Sequence, residues 1–188
     1  MRLGGESLRA GPALSLVPRH PGDAAEMFAL IDAHRDDLRE WLTWVDATRS
    51  VADVRRYAQF ARAQFEAMAS FDYAVVLDGD QVGAVGLHGF DWSSRHAEMG
   101  YWLAPPARGR GVMTQVAATL TTHAFERLGL HRLEIHCVVE NQRSRSVAQR
   151  LNYAFEGIRR EAYALHGEFR DLAVYSMLAS DWKTAPVR

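Results

Sequence analysis

The sequence predicts a single α/β (α+β) domain built on a mixed β-sheet. Its 188 residues suit one domain, since domains commonly hold about 100–200 residues. Hydrophobic residues make up 48% and charged residues 24% of the chain, a balance typical of a globular protein rather than a disordered one. Apolar residues recur with strand or helix spacing in the order βααβββαβαββ, which favours a sheet with helices packed on it.

Charge, cysteine content and histidine placement exclude several classes of protein. Lys and Arg total 22 and Asp and Glu total 23, and this net charge of −1 argues against a dedicated nucleic-acid binder. The single cysteine, Cys137, cannot form an intrachain disulfide and fits a reducing compartment. Glu134 and His136 share a strand face without a third ligand, so we predict no metal site.

The ends of the chain show no targeting or membrane signal. No run approaches the ~18 apolar residues of a membrane helix. The first residues also lack the apolar core of a signal peptide. We therefore predict a cytoplasmic protein that does not bind a membrane.

The first third of the chain predicts a strand followed by two helices. Leu14–Pro18 alternates apolar residues as a short strand does. Asp23 can cap the first helix, and the spacing of Ser50 and Asp53 is that of a capping box for the second. The apolar face of the first helix comprises Met27, Leu30, Ile31 and Leu38.

The middle of the chain predicts three antiparallel strands in succession. Phe71–Leu77 is rich in aromatic and β-branched residues, and the turn Asp78–Asp80 has the chemistry of a hairpin. Gln81–Phe90 then returns as a second strand, and His96–Leu103 forms a third. Pro105 and the following proline end this third strand.

The last third predicts a long helix, a strand, a short helix and two final strands. Apolar residues from Gly111 to Leu128 recur three and four apart, as on a helix face. Arg132–Val138 alternates polar and apolar residues, as a half-buried strand does. A short helix over Ser144–Leu151 precedes strands near Phe155–Ala162 and Phe169–Leu178.

A glycine-rich turn joins the third strand of the middle segment to the long helix. The first N–H groups of that helix have no internal partner, and the helix dipole adds positive charge there. Gly109 and Gly111 let the backbone close around oxygen atoms, while Arg108 and Arg110 offer guanidinium groups. This combination predicts a phosphate-binding site.

Three kinds of phosphate-binding site are alternatives for this turn. A Walker loop needs a Lys followed by Ser or Thr, and the turn has neither. A dinucleotide fingerprint needs a third glycine where Thr114 stands, and it belongs at the start of a parallel sheet. The pyrophosphate of coenzyme A is the remaining alternative, and two arginines beside the turn suit it.

Four segments in the same order carry a resemblance to a known family. Arg108–Met113 follows the pattern Gln/Arg-x-x-Gly-x-Gly/Ala except at Met113. It is accompanied by Trp41–Trp44, Ala97–Leu103 and Asn141–Ser144. On these residues the chain resembles the GCN5-related N-acetyltransferase (GNAT) superfamily and, within it, the RimJ/RimL group of ribosomal-protein N-terminal acetyltransferases.

The resemblance covers about residues 13–180, so we expect a flexible N-terminal tail over 1–12 and a C-terminal tail over 181–188. It implies a mostly antiparallel sheet with a splayed central strand pair and helices on both faces. It also implies acetyl-CoA as cosubstrate. The residues expected to contact acetyl-CoA are Leu103, Arg108, Gly109, Arg110, Gly111, Val112, Met113 and Asn141.

The resemblance implies direct attack of a neutral amine on the acetyl group, without a covalent enzyme intermediate. Cys137 is accordingly expected in the core. Ser144 is expected to donate a hydrogen bond to the leaving thiolate, and the alternative is that it caps the short helix. Many family members place a tyrosine acid where this chain has Ala148.

The general base is the least determined part of the predicted site. Glu98 lies on the strand beside the splayed pair, although it could equally be a surface carboxylate. Some RimL-like proteins have a glutamate where Tyr163 stands, and Glu161 would share its face of a regular strand. The candidates are therefore Glu98, Glu161, Tyr163 or water.

The class of acceptor amine is predicted from the fraction of each amine that is neutral at pH 7. An α-amine has a pKa of about 7.7–8.0 and a lysine about 10.4, so a far larger fraction of α-amine is neutral at pH 7. A weakly equipped site therefore favours a protein N-terminus. The alternatives are a small amine (a polyamine, an aminoacyl-nucleotide or an antibiotic) and a non-catalytic acyl-CoA sensor.

Acceptor contacts are expected from Trp41 and Trp44 and from His88, which lies in the hairpin at 86–92. The alternative is that both tryptophans fill the core beside a loop. The sequence leaves the oligomeric state open, with a homodimer as one alternative.

Overall fold

Eight strands form one sheet in the computed structural model, which describes residues 6–182. They are β1 (Leu8–Arg9), β2 (Leu14–Pro18), β3 (Phe71–Leu77), β4 (Asp80–Asp91), β5 (His96–Leu103), β6 (Arg132–Val138), β7 (Ala154–Leu165) and β8 (Glu168–Leu178). Their spatial order is β1-β2-β3-β4-β5-β6-β8-β7, and only β5 and β6 pair in parallel. The predicted mixed, mostly antiparallel sheet is confirmed.

Six α-helices accompany the sheet within the described residues. They are α1 (Ala24–Ala33), α2 (Arg35–Arg39), α3 (Val51–Glu66), α4 (Val112–Glu126), α5 (Gln142–Arg150) and α6 (Ala179–Trp182). The predicted capping box is present, because Asp53 N donates to Ser50 Oγ at 3.3 Å at the start of α3. Within residues 6–182, none of the helices has both the length and the apolar character needed to span a membrane.

The prediction of one continuous first helix is wrong, because the helix is interrupted at one residue between α1 and α2. His34 leaves helical geometry, with φ of −126° and ψ of 23°. Arg35 donates from its terminal nitrogens to the carbonyls of Val45 at 2.7 Å and Thr48 at 2.8 Å. These bonds to a distant segment hold α2 in a new direction against the stretch that carries Trp44.

Both predicted tails are partly folded. Leu8 and Arg9 pair with β2, so the predicted tail boundary at residue 12 is wrong. Trp182, in α6, donates from Nε1 to Thr122 Oγ1 at 3.0 Å and thereby joins the end of the chain to α4. The predicted C-terminal tail therefore starts too early, and residues 1–5 and 183–188 lie outside the described part.

The central strands β5 and β6 separate soon after they meet. They pair over three residues, His96–Glu98 with Arg132–Glu134. Beyond that point β6 pairs with β8, and Met99–Leu103 keeps β4 as its strand partner. The predicted splayed pair is confirmed, and we call the opening between Met99–Leu103 and Ile135–Val138 the fork.

The sheet is covered on both faces, as predicted. Successive residues of a strand point to opposite faces. Ala74 packs in a core formed with α1 and α2, whereas Tyr73 and Val75 pack in a larger core that includes α4 and α5. We call these two sides the α1 face and the α4 face.

Candidate functional site

A cavity of about 480 Å³ lies at the fork and continues over the α1 face. Predicted site residues that line it are Trp41, Trp44, His88, Glu98, Asn141 and Ser144. The predicted cofactor residues Leu103 and 108–113 do not line this cavity and form a separate group at the start of α4. The structure therefore brings the predicted catalytic and acceptor residues together, with the glycine-rich turn apart from them.

A charged cluster occupies the point where the strands part. His136 Nδ1 lies 3.1 Å from Glu98 Oε2, and His136 Nε2 lies 2.6 Å from Glu134 Oε2. A neutral imidazole has one N–H, so both contacts are hydrogen bonds only when His136 is protonated. Arg132 Nη2 donates to Glu134 Oε1 at 2.6 Å. The geometry thus favours an imidazolium held between two carboxylates.

The charges of this cluster shift the pKa values of its members. Burial raises the pKa of Glu98, but the hydrogen bond and charge of His136 outweigh burial and hold that pKa below its ordinary value. The hydrogen bond from His136 to Glu98 raises the pKa of His136 against the opposing effect of burial. Glu98 is therefore ionised at neutral pH and presents a carboxylate to the cavity.

Ser144 turns its hydroxyl toward a tyrosine of β5. Ser144 Oγ donates to Tyr101 Oη at 3.3 Å, and Tyr101 Oη donates to the Ser144 carbonyl at 3.0 Å. Asn141 caps α5, because Ser144 N donates to Asn141 Oδ1 at 3.0 Å. The alternative in which the Ser144 side chain caps α5 is wrong, and the hydroxyl lies instead on the cavity wall.

Sequence reasoning missed Tyr101. Ala148 is fully buried, so no phenol reaches the site from that position. Tyr101 brings a phenol to Ser144 from β5 instead, and burial raises its pKa, which keeps it protonated at neutral pH. The signal was the strand alternation, which places Tyr101 on the same face as Met99.

Cys137 is buried, as predicted, with 7% of its surface exposed. Its side chain borders the cavity near Ser144. Burial raises the pKa of the Cys137 thiol, so it is a weak nucleophile at neutral pH.

The turn before α4 has the predicted features of an anion site. Gly109 and Gly111 adopt φ values of 74° and 75°, in the left-handed region that favours glycine. No described side chain caps α4 at Gly111, so its first N–H groups stay open to a ligand. The Val112 and Met113 side chains are buried, which leaves only their backbone N–H groups for such contact.

The two arginines of the turn differ in their surroundings. Arg108 Nε donates to the Leu103 carbonyl at 2.8 Å, and Arg108 Nη2 lies 2.5 Å from Asp37 Oδ2. Arg108 therefore joins the end of β5 to α2, and its contact with acetyl-CoA stays a prediction. Arg110 is exposed and has no ion-pair partner within residues 6–182, so its guanidinium remains available to an anion.

Trp41 and Trp44 stand on the cavity wall rather than in the core, so the core alternative is wrong. Trp44 is 38% exposed, and its ring centroid lies 5.8 Å from that of Trp102. Tyr163 Oη donates to the Trp41 carbonyl at 3.3 Å. His88 lies opposite Glu98 in the pairing of β4 with β5.

A bulge in β7 separates Glu161 from Tyr163. The register shifts between Arg159 and Tyr163, and Glu161 takes a φ of 51°. Glu161 N donates to Asp171 Oδ1 at 2.8 Å. The predicted shared face is therefore wrong because the bulge interrupts the alternation, and Tyr163 lines the cavity while Glu161 does not.

The alternation of β5 and β6 divides the site between the two faces of the sheet. Glu98 and Trp102 point to the α1 face, and Tyr101 points to the α4 face. His136 and Cys137 divide in the same way on β6. The carboxylate cluster thus lies on one face and the hydroxyl pair on the other, and the fork joins them.

Three further cavity residues were not predicted to belong to the site. Arg19, Tyr57 and Asp72 come from three separate segments, and they line the cavity on the α1 face. Only the pairing of β2 with β3 and the packing of α3 bring them together. In the described part of the chain, no three His, Cys, Asp or Glu side chains are placed to hold a metal ion.

Comparison with known proteins finds a family match over most of the chain. The family model described as "Acetyltransferase (GNAT) domain" matches residues 13–154. YdaF of Bacillus subtilis, a proposed ribosomal N-acetyltransferase, is 33% identical over 165 residues. That match spans 87% of this chain and 90% of YdaF.

Two solved structures have the same fold. RimJ of Mycobacterium smegmatis, in complex with a CoA-disulfide, is 26% identical with a TM-score of 0.87, covering 96% of this chain and 90% of RimJ. RimL, a ribosomal L7/L12 α-N-protein acetyltransferase solved with coenzyme A, has a TM-score of 0.89 at 24% identity. The RimL match covers 92% of this chain and 98% of RimL, and it shows the shared fold.

Proposed function

Because the chain belongs to the GNAT acetyltransferase family, we propose that it transfers the acetyl group of acetyl-CoA to the N-terminal α-amine of a protein. The family resemblance and the acetyltransferase class predicted from sequence are confirmed by the family match. A ribosomal protein is the favoured acceptor, since YdaF carries a ribosomal assignment. The observation that carries the proposal is the fork. It connects the ionised Glu98 carboxylate on the α1 face with the Ser144 and Tyr101 hydroxyls on the α4 face.

The α4 face is the side on which coenzyme A would bind. Its pyrophosphate would meet the unpaired N–H groups at the start of α4, where Gly109 and Gly111 leave no Cβ in the way. Arg110 adds a free positive charge at the same place. The unpaired edge of Met99–Leu103 offers backbone groups to an extended, amide-bearing chain such as pantetheine. Acetyl-CoA supplies the activated acetyl group.

The α1 face is the side on which the amine would approach. About a tenth of an α-amine is neutral at pH 7, so the reactive form needs no strong base. Once the nitrogen has attacked the acetyl carbonyl it is positively charged and carries two acidic protons, of which it must lose one to form the amide. The Glu98 carboxylate can accept that proton although its pKa is low, and His136 holds it in place.

The leaving thiolate would meet Ser144 on the other side of the fork. Ser144 Oγ can redirect its proton from Tyr101 to the sulfur. Tyr101 stays fixed by its own hydrogen bond to the Ser144 carbonyl, so the Ser144 hydroxyl is already positioned beside it. Proton acceptor and proton donor thus stand on opposite faces, as a transfer between two substrates requires.

We expect acetyl-CoA to raise the melting temperature, and a thermal melt with NAD as control measures it. Ligand at about 100 times its dissociation constant adds about 2.7 kcal/mol, or very roughly 5–10 °C at this size. Arg110→Gln should weaken acetyl-CoA binding about tenfold through loss of a charged contact. Arg127→Gln, at the opposite end of α4, is the matched control. No shift at millimolar acetyl-CoA would contradict the proposal.

We expect Ser144→Ala to lower kcat about 10- to 100-fold, the effect of one hydrogen bond to a charged group. Steady-state release of coenzyme A with a peptide acceptor measures it. The fold should remain, because α5 keeps its Asn141 cap through the backbone of residue 144. Ser146→Ala on the same helix is the control, and an equal loss in both variants would argue against a role for Ser144.

A further inference from the structure

Beyond the reaction centre, the cavity ends at a polar group on the α1 face. Arg19 Nε donates to Asp72 Oδ1 at 3.0 Å, and Tyr57 Oη donates to Asp72 Oδ2. The Arg19 guanidinium lies 5.5 Å from the centre of the Tyr57 ring. All three side chains line the cavity. Both Asp72 oxygens are thus engaged, and they fix the arginine in one orientation.

Arg19 retains unused donors. A guanidinium has five N–H groups, of which Arg19 uses the one on Nε. Its terminal nitrogens make no hydrogen bond to residues 6–182, and they are not sealed away as unpartnered buried atoms. The side chain is only 10% exposed, so these nitrogens open on the cavity. The paired N–H groups at the end of the guanidinium match the two oxygens of a carboxylate or a phosphate.

The surface between Arg19 and the reaction centre carries two glycines and the side chain of His88. Asp72 lies opposite Gly86, and Gly86 lies opposite Gly100, so these positions form a row on one face of the sheet. Two strand spacings make the distance from Asp72 to β5 about 10 Å. Glu98 lies two residues from Gly100 on that same face. The two glycines add no side chain of their own to this path, and the His88 imidazole beside Gly100, where a Cβ would stand 3.2 Å from its Nε2, forms part of the wall between Glu98 and the arginine.

We propose that Arg19 binds an anionic group which the acceptor carries about 12 Å from the amine that is acetylated, a distance of two strand spacings across the sheet and two residues along β5. This inference rests on the proposed acetyl transfer and specifies its acceptor. An extended peptide advances about 3.3 Å per residue, so an acidic side chain at the third residue would reach Arg19. The phosphate of an aminoacyl-nucleotide has the same chemistry. A polyamine would instead place a second ammonium against the guanidinium.

Paired acceptors test this inference. Two hexapeptides that differ only by Glu or Gln at the third residue are assayed for kcat/KM with acetyl-CoA. We expect the Glu peptide to be favoured about 10- to 100-fold, mainly through KM. Arg19→Gln should bring the Glu-to-Gln ratio to about one, and Arg19→Lys, which keeps the positive charge without the paired terminal N–H groups, should give an intermediate ratio. Arg55→Gln, an exposed arginine of α3, should keep the wild-type ratio.

Several outcomes would overturn the inference. Equal use of both peptides by the wild type, or a preference retained in both Arg19 variants, would overturn it while leaving acetyl transfer intact. Faster turnover of spermidine than of either peptide would do the same. An aminoacyl-adenylate analogue with its phosphate joined through nitrogen, if preferred over both peptides in an Arg19-dependent way, would support the anion site and assign it to phosphate. Binding of acetyl-CoA with no acetylation of any acceptor would overturn the proposed function itself.

Discussion

Replacing Glu98 by glutamine is expected to lower kcat/KM with a peptide acceptor by about 10²–10⁴-fold, the range for loss of a positioned general base. The amide cannot accept the proton that the nitrogen loses after attack. The substitution keeps the size of the side chain and an oxygen that can still accept from His136. Initial rates across pH 6–9, together with a melt, separate loss of chemistry from loss of fold.

The matched control for this substitution is Glu134→Gln. Glu134 contacts the other ring nitrogen of His136 but does not line the cavity. We expect its kcat/KM to fall less than tenfold. Comparable losses in the two variants would show that the cluster supports the fold and that Glu98 does not take the proton.

The pH dependence separates the amine from the carboxylate. The pKa of Glu98 is held low by His136, so Glu98 is already ionised across the assay range. The wild-type kcat/KM should therefore rise with pH as the acceptor α-amine loses its proton, and level off above a pH of about 8. A rate that stays constant across pH 6–9 would mean instead that deprotonation of the acceptor amine does not limit the reaction.

The protonation of His136 makes the stability of the protein depend on pH. Its folded pKa lies above the ordinary 6.5, so the imidazolium stabilises the protein below that pH. That contribution is lost as the pH rises through the folded pKa. The hydrogen bond to the Glu98 carboxylate is the largest cause of the shift, and the Glu98 charge adds to it. A neutral amide weakens the bond and removes the charge, so the His136 resonance in Glu98→Gln should titrate at a lower pH than in the wild type.

Features encoded within a few residues were predictable from the sequence. The turn at Gly109 and Gly111 depends on backbone conformation and on a following helix, and both have local signals. The capping box at Ser50 is equally local. Burial of Cys137 followed from the alternation of its own strand. Each of these was predicted because the residues that determine it are adjacent in the chain.

The partners of the predicted side chains were not predictable in the same way. Arg108 forms an ion pair with Asp37. Asp37 lies in α2, which sequence reasoning had merged with α1. The Ser144 hydroxyl faces Tyr101, which is 43 residues away. The bulge that removes Glu161 from the cavity interrupts a strand for which sequence reasoning assumed unbroken alternation. Such contacts join segments that lie far apart in the chain, so no short motif encodes them.

Replacing Gly83 by alanine is expected to destabilise the protein by about 3 kcal/mol or more, at the upper end for inserted groups in a packed interior. A Cβ at Gly83 would stand 2.2 Å from the Trp102 carbonyl oxygen and 3.0 Å from Leu103 Cα. Both atoms belong to the backbone of β5, so rotation of a side chain cannot relieve the clash. β4 and β5 would have to separate beside the fork.

Thermal and urea unfolding measure this effect. A loss of about 3 kcal/mol corresponds to a fall in Tm of roughly 6–12 °C at this chain length, and failure to recover folded protein would agree with it. Gly11→Ala is the control, because its new Cβ would meet Gln115 Oε1 at 3.4 Å, the end of a flexible side chain. That variant should melt within about 2 °C of the wild type. If Gly83→Ala did so too, β5 would be free to shift, and the close pairing of β4 and β5 would not be what holds one side of the fork.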